Sequence, residues 1–119
     1  MQRRQAVMEN VDFGQGVPLS VAPSDAHFEH IQEHLKPLAL ILQQYEQTQQ
    51  VSPEQASTLA ITTEHAGMHM TYLSQDQTMK TEFQSIKGQF SLVSSMTRGI
   101  LTQMKAQQAQ GPQQLAIPA

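Results

Sequence analysis

Two apolar stripes at helical spacing, joined by a short turn with a strong helix-start signal, constrain this chain more than any other feature of its sequence. Phe28, Ile31, Leu35, Leu38, Leu42 and Tyr45 recur three and four residues apart, which places them on one face of a helix. Leu59, Thr63, Ala66, Met70 and Leu73 make a second such face. Between the two, Ser52 is a good N-cap, Pro53 suits the first helical position, and Gln55 completes a capping box. A turn confined to about Gln49 to Ser52 makes antiparallel neighbours of the two helices. The first helix is expected over 24-49, opened by Ser24 or Asp25. Pro37 lacks the donor that would bond back to Glu33, so a kink or local break is expected there. The second helix is expected over 53-74, although Thr62, Thr63 and Gly67 lower its intrinsic propensity.

A third helix is expected over 76-105. Met79, Phe83, Ile86, Phe90, Val93, Thr97, Ile100 and Met104 alternate four and three apart in an unbroken heptad-like stripe. A helix of that length is a rod of roughly 40 Å at ~1.5 Å per residue, longer than the second helix can cover. The apolar members Met79, Phe83, Ile86, Phe90, Val93, Ile100 and Met104 are therefore candidates for an oligomer interface, with a three-helix bundle carrying an overhanging end as the simpler alternative. Residues 1-23 read as a polar N-terminal segment, in which Met1 to Glu9 could end a helix, followed by an extended loop punctuated by Gly14, Gly16, Pro18 and Pro23. After Lys105 the Gln-rich run with Gly111, Pro112 and Pro118 reads as a disordered tail over 106-119. The expected class is all-α: an antiparallel helical hairpin plus a long third helix, part of a larger oligomeric assembly.

Composition supports that reading and excludes others. Hydrophobic residues are 39% and aromatics 5% of the 119 residues, with no Trp, so a large self-sufficient core is hard to build. Charged residues are only 14%, with Gln, Ser and Thr in their place. Seven Lys and Arg and a net charge of −3 do not make the dense basic face that grips phosphates. The absence of cysteine removes disulfides, thiolate metal sites and Cys nucleophiles together. No secretory h-region follows the N-terminal arginines, and no run approaches a membrane span.

All five histidines fall in the hairpin: His27, His30 and His34 on its first helix, His65 and His69 on its second. His30 with His34, and His65 with His69, are four apart, so each pair presents both rings on one side. With the turn centred near Val51, His34 is expected opposite His69 and His65 one turn away. Two such pairs on antiparallel helices form a candidate metal site, His30, His34, His65 and His69, for Zn²⁺ or, with less discrimination, Ni²⁺ or Cu²⁺. Asp25, Glu33 and Glu64 are candidate outer acceptors for the ring N–H groups. The competing reading makes the same rings ordinary hydrogen-bonded interface histidines. No Gly-x-Ser-x-Gly elbow, phosphate-cradling glycine loop or carboxylate pair is recognisable, so no enzymatic activity is expected and no catalytic residue is assigned.

Several runs in order carry a family resemblance. They are Glu9-Asn10, Gly16-Val17-Pro18-Leu19, the stretch Pro23-Ser24-Asp25-Ala26-His27-Phe28-Glu29-His30-Ile31-Gln32-Glu33-His34, and then Glu64-His65 to His69 with Tyr72-Leu73-Ser74-Gln75-Asp76. Together they resemble the C-terminal region of portal proteins of tailed double-stranded DNA bacteriophages, over roughly Glu9 to Leu101. A portal protein is several times longer, with a clip, stem and wing that this chain cannot encode, so the resemblance covers the C-terminal region alone. It implies a structural subunit of a dodecameric ring, a homo-oligomer at the portal vertex of the virion, assembled in the host cytoplasm. Such a ring is the head-tail connector and the conduit for DNA packaging and ejection. Its implied partners are adaptor, ejection and capsid proteins and packaged double-stranded DNA that passes through without sequence-specific contact, with no membrane involved. The alternatives read from the residues are a metal-binding four-His hairpin and a coiled-coil adaptor or scaffold built on the Met79 to Met104 stripe.

Overall fold

The computed structural model describes residues 2–116, with side chains through residue 108. It is all-helical among those residues: α1 (Gln2–Gly14), α2 (His27–Thr48), α3 (Pro53–Gln75) and α4 (Lys80–Ala116), the last entered through a single 3-10 turn at Gln77–Met79. α2 and α3 are the hairpin. Ser52 Oγ accepts from the Gln55 N–H at 3.0 Å and Gln55 Oε1 accepts from the Ser52 N–H at 3.0 Å, the reciprocal pair of a capping box. α2 ends as Gln49 turns left-handed, with φ 57°, and its N–H bonds to the Tyr45 carbonyl at 2.7 Å.

Among the described residues the two remaining long helices both pack on the hairpin and make no contact with each other, so the hairpin is the middle layer. The face toward α4 is apolar. Ile31, Leu35, Leu38 and Leu42 from α2 and Leu59, Met70 and Leu73 from α3 close on Ile86, Val93 and Ile100 from α4. Leu38 and Leu59 are wholly buried, and truncating either to Ala removes about 2–5 kcal/mol by lost transfer energy and cavity formation. The α4 stripe offered as an oligomer interface is thus occupied within the chain, since Met79, Phe83, Phe90 and Met104 pack against the same core. The low apolar content is sufficient for one seam because α2, α3 and α4 share it.

Several boundaries differ from the sequence reading. Residues 2–14 are a full helix where a polar segment and the start of a loop were expected, and Ala6 and Phe13 anchor it with no exposed area. Gly16, at φ +82°, ends it: the Val17 N–H bonds to the Asp12 carbonyl at 2.9 Å and the Gly16 N–H to the Phe13 carbonyl at 3.0 Å. Those two bonds are a Schellman stop, which requires a residue free to adopt positive φ. α2 begins at His27 rather than near Ser24, with Ala26 at the cap, because the Asp25 carboxylate is engaged by the Ala22 N–H at 3.1 Å. It then runs through Pro37 as one helix. α4 continues past Lys105 to Ala116, correcting the expected tail: Lys105 to Gln110 are good helix formers, and the helix runs on through Gly111 and Pro112. The rest of that expected tail, 117–119, lies outside the described residues. Tyr45 Oη donates to Gln103 Oε1 at 2.9 Å, so α4 passes the level of the hairpin turn there and gives the molecule its 64 × 25 × 23 Å outline.

Candidate metal centre

On the side of the hairpin away from α4, the histidines meet. The hairpin register puts His30 beside His69, with ring centroids 4.6 Å apart, and His34 beside His65, at 4.8 Å. The expected pairing of His34 with His69 is therefore a neighbouring contact, at 5.6 Å, and not the closest one. All four rings are buried, three of them with no exposed area and His65 at 2%. α1 closes over them and brings a carboxylate that periodicity does not reveal, Glu9. One donor atom from each of Glu9, His30, His34, His65 and His69 lies within 4.8 Å of every other.

Glu9 Oε1 is the hub of this group. It stands 3.1 Å from His30 Nδ1, 3.3 Å from His34 Nε2 and 3.5 Å from His65 Nε2, while His69 Nε2 lies 3.1 Å from His65 Nε2. The Glu9 side chain is 12% exposed. Phe13 seals the cluster on the α1 side, its ring against those of His34 and His65 at 5.3 and 4.8 Å.

Each histidine is also held from outside through its other nitrogen, and these bonds assign the tautomers. The Asn10 amide donates from Nδ2 to the Glu33 carbonyl at 3.0 Å, which turns Oδ1 toward His34 Nδ1 at 2.7 Å. His34 Nδ1 therefore carries the hydrogen, and Nε2 is a lone pair without a hydrogen-bond partner. The Leu19 carbonyl, in the loop after α1, accepts from His65 Nδ1 at 2.8 Å. Gln2 Oε1 accepts from the Ala26 N–H at 3.0 Å and likewise from His30 Nε2 at 3.0 Å. His27 gives its Nε2–H to the Pro23 carbonyl at 3.1 Å, so neutral His27 accepts at Nδ1 from His69 Nδ1 at 2.8 Å. His27 also stacks on Tyr72, with rings 6° from parallel. In these tautomers the inward nitrogens of His34, His65 and His69 present lone pairs to one point, whereas His30 has an acceptor at each nitrogen, Gln2 Oε1 outside and Glu9 Oε1 inside. An outer acceptor on the far nitrogen is the arrangement that orients imidazole for a metal.

Burial and mutual repulsion hold two of the rings, His34 and His69, in the neutral form. Loss of hydration, followed by the neighbouring His65 and His30, pushes His34 down to about 3. The same causes, burial first, push His69 down to about 2. The carboxylates chosen from sequence as outer acceptors do other work. Asp25 holds the turn before α2, and Glu64 is exposed. Glu33 binds Lys36 and Arg3, each at 2.9 Å, and these hydrogen bonds hold its carboxyl below the usual range. Their place is taken by Gln2, Asn10, Leu19 and His27.

Among the described residues, no helix is long and apolar enough to cross a membrane. In comparison with known proteins, the chain matches no family model, no curated protein and no solved structure.

Proposed function

We propose that this chain is a metal-binding helical domain in which Glu9, His30, His34, His65 and His69 hold one divalent transition-metal ion. The observation that carries the reading is His34 Nε2, a fully buried lone pair with no hydrogen-bond partner, aimed among three other imidazole nitrogens and a carboxylate oxygen. A buried polar atom left in that state costs about 1–3 kcal/mol, and a cation at the point of convergence removes that cost while bonding the other four donors. The ion joins α1, α2 and α3, so its role here is to fasten α1 onto the hairpin. Thermal unfolding measured with excess chelator and with added Ni²⁺ or Zn²⁺ tests this. Binding to the folded state alone at a thousand times Kd adds about 4 kcal/mol, a rise of several degrees in Tm. An unchanged Tm with every divalent ion tried counts against the proposal.

The portal-ring role implied by the family resemblance is the second reading, and it is compatible with the first. Two features support assembly with further copies: α4 continues beyond the hairpin turn, and Val7, Met8 and Val11 leave an apolar strip exposed on α1. In this reading the metal fastens α1 within a ring subunit. Single-particle imaging of the protein expressed with its full reading frame tests it, a closed ring being the expected particle and a monomer or dimer the result against it. An adaptor that needs the Met79 to Met104 stripe free has no such support, because that stripe lies in the chain's own core.

A further inference from the structure

Resting on the metal-binding reading, we infer that the ion is held by five protein donors, four imidazoles and one carboxylate oxygen, in a six-coordinate arrangement with one position left for water or a small anion. The class of cofactor is then Fe²⁺, Co²⁺, Ni²⁺ or Mn²⁺ and not a tetrahedral structural zinc. The number of donors is the first ground. A tetrahedral ion takes four ligands, each about 3.4 Å from the others when the bonds are ~2.1 Å. Any histidine left over would remain a buried polar group facing the cation without a bond to it, and a left-over Glu9 would keep an unligated carboxylate oxygen among the imidazoles. The inward contacts of the histidines all stay within the group: His34 Nε2 has no hydrogen bond, His69 meets His65, and His30 meets Glu9.

The spacing is the second ground. Adjacent donors in an octahedron of ~2.1 Å bonds are about 3.0 Å apart and opposite ones about 4.2 Å. Here the short separations are 3.1, 3.1, 3.3 and 3.5 Å, and the full set is spread to no more than 4.8 Å. Separations down to 3.1 Å lie nearer the edge of an octahedron than that of a tetrahedron, and a spread of up to 4.8 Å leaves room for opposite donors. Glu9 supplies one oxygen to it. Its Oε2 faces Gln5 Nε2, at 3.4 Å, which leaves Oε1 as the inward donor and a sixth position for water or a small anion. Imidazole-rich sites suit iron and nickel as well as zinc, so the coordination number makes the choice.

Cobalt titration of the metal-free full chain tests the inference, because Co²⁺ reports its geometry in the visible spectrum. The expected result is one equivalent bound with the weak d–d bands of a six-coordinate ion, and an affinity that drops tenfold or more in Glu9→Gln. One equivalent bound with the intense bands of tetrahedral cobalt overturns this inference and leaves the metal-binding reading standing. An unchanged affinity in Glu9→Gln overturns it also, since a spectator carboxylate loses nothing by the change. No Co²⁺ binding overturns the metal-binding reading itself. The wild-type spectrum decides the question even where the variant does not fold.

Discussion

His34 Nδ1 and Asn10 Oδ1 lie 2.7 Å apart across the α1–α2 interface, and this bond aims the opposite nitrogen of the ring at Glu9. Because Asn10 is itself anchored on the Glu33 carbonyl, its amide cannot turn over without losing a second bond. Removing such an outer acceptor typically costs 10–100-fold in metal affinity. Asn10→Leu is expected to weaken binding by that factor, as read by competition with a chromogenic chelator. Asn10→Asp keeps an acceptor for His34 but sets a carboxylate oxygen against the Glu33 carbonyl in place of the donor, so its affinity is expected to fall between those of Asn10→Leu and wild type. Equal affinities in Asn10→Leu and wild type would mean that the ring is oriented by packing alone.

The buried neutral histidines make metal-free stability depend on pH in a defined direction. In the unfolded chain His34 and His69 take up protons near pH 6.5, whereas in the folded chain they resist until about 3 and about 2. Between these limits the unfolded state binds more protons, so stability rises with pH, and it is lost as pH falls below 6.5. Each histidine contributes a slope of up to about 1.4 kcal/mol per pH unit. The groups facing them are His27, His30 and His65 from the hairpin and Glu9 from α1. Urea midpoints in excess chelator are expected to be level above pH 7.5 and to decline steadily from 6.5 to 5. A midpoint unchanged over pH 7 to 5 would contradict the burial described for these rings.

Thr97 occupies a stripe position on α4 and is 2% exposed, yet its hydroxyl has no hydrogen-bond partner. Replacing it with valine keeps the shape and removes the unpaired group. Thr97→Val is expected to stabilise the protein by about 1 kcal/mol, visible as a higher urea midpoint with unchanged slope. Destabilisation would show that the hydroxyl is paired in solution.

The hairpin was legible in the sequence for physical reasons that can be named. Leu38, Leu59 and their neighbours repeat at helical spacing because they line one seam, and the Ser52–Gln55 box is local chemistry that needs no tertiary context. That four histidines could approach one another was legible as well, from two i, i+4 pairs on adjacent antiparallel helices, but their meeting depends on which faces the helices turn inward. α1 was not. Its apolar residues Val7, Met8 and Val11 face outward, while the face against the hairpin combines Ala6 and Phe13 with the polar Gln2, Glu9 and Asn10. A helix docked by polar bonds shows no hydrophobic period, so its fifth donor escaped notice. The recurrence of Gln2, Ala6, Glu9 and Phe13 at helical spacing, closed by Gly16, is the signal that could have found it.

The most direct test is metal stoichiometry. Protein purified without an affinity tag that binds metal, loaded with a divalent transition ion and dialysed extensively, is analysed for its elements beside His34→Ala and His69→Ala variants. The account predicts about one ion per chain in the wild type and a large loss in both variants, each of which removes one imidazole donor. Wild-type protein that keeps no stoichiometric metal, or variants that keep as much as the wild type, would contradict it.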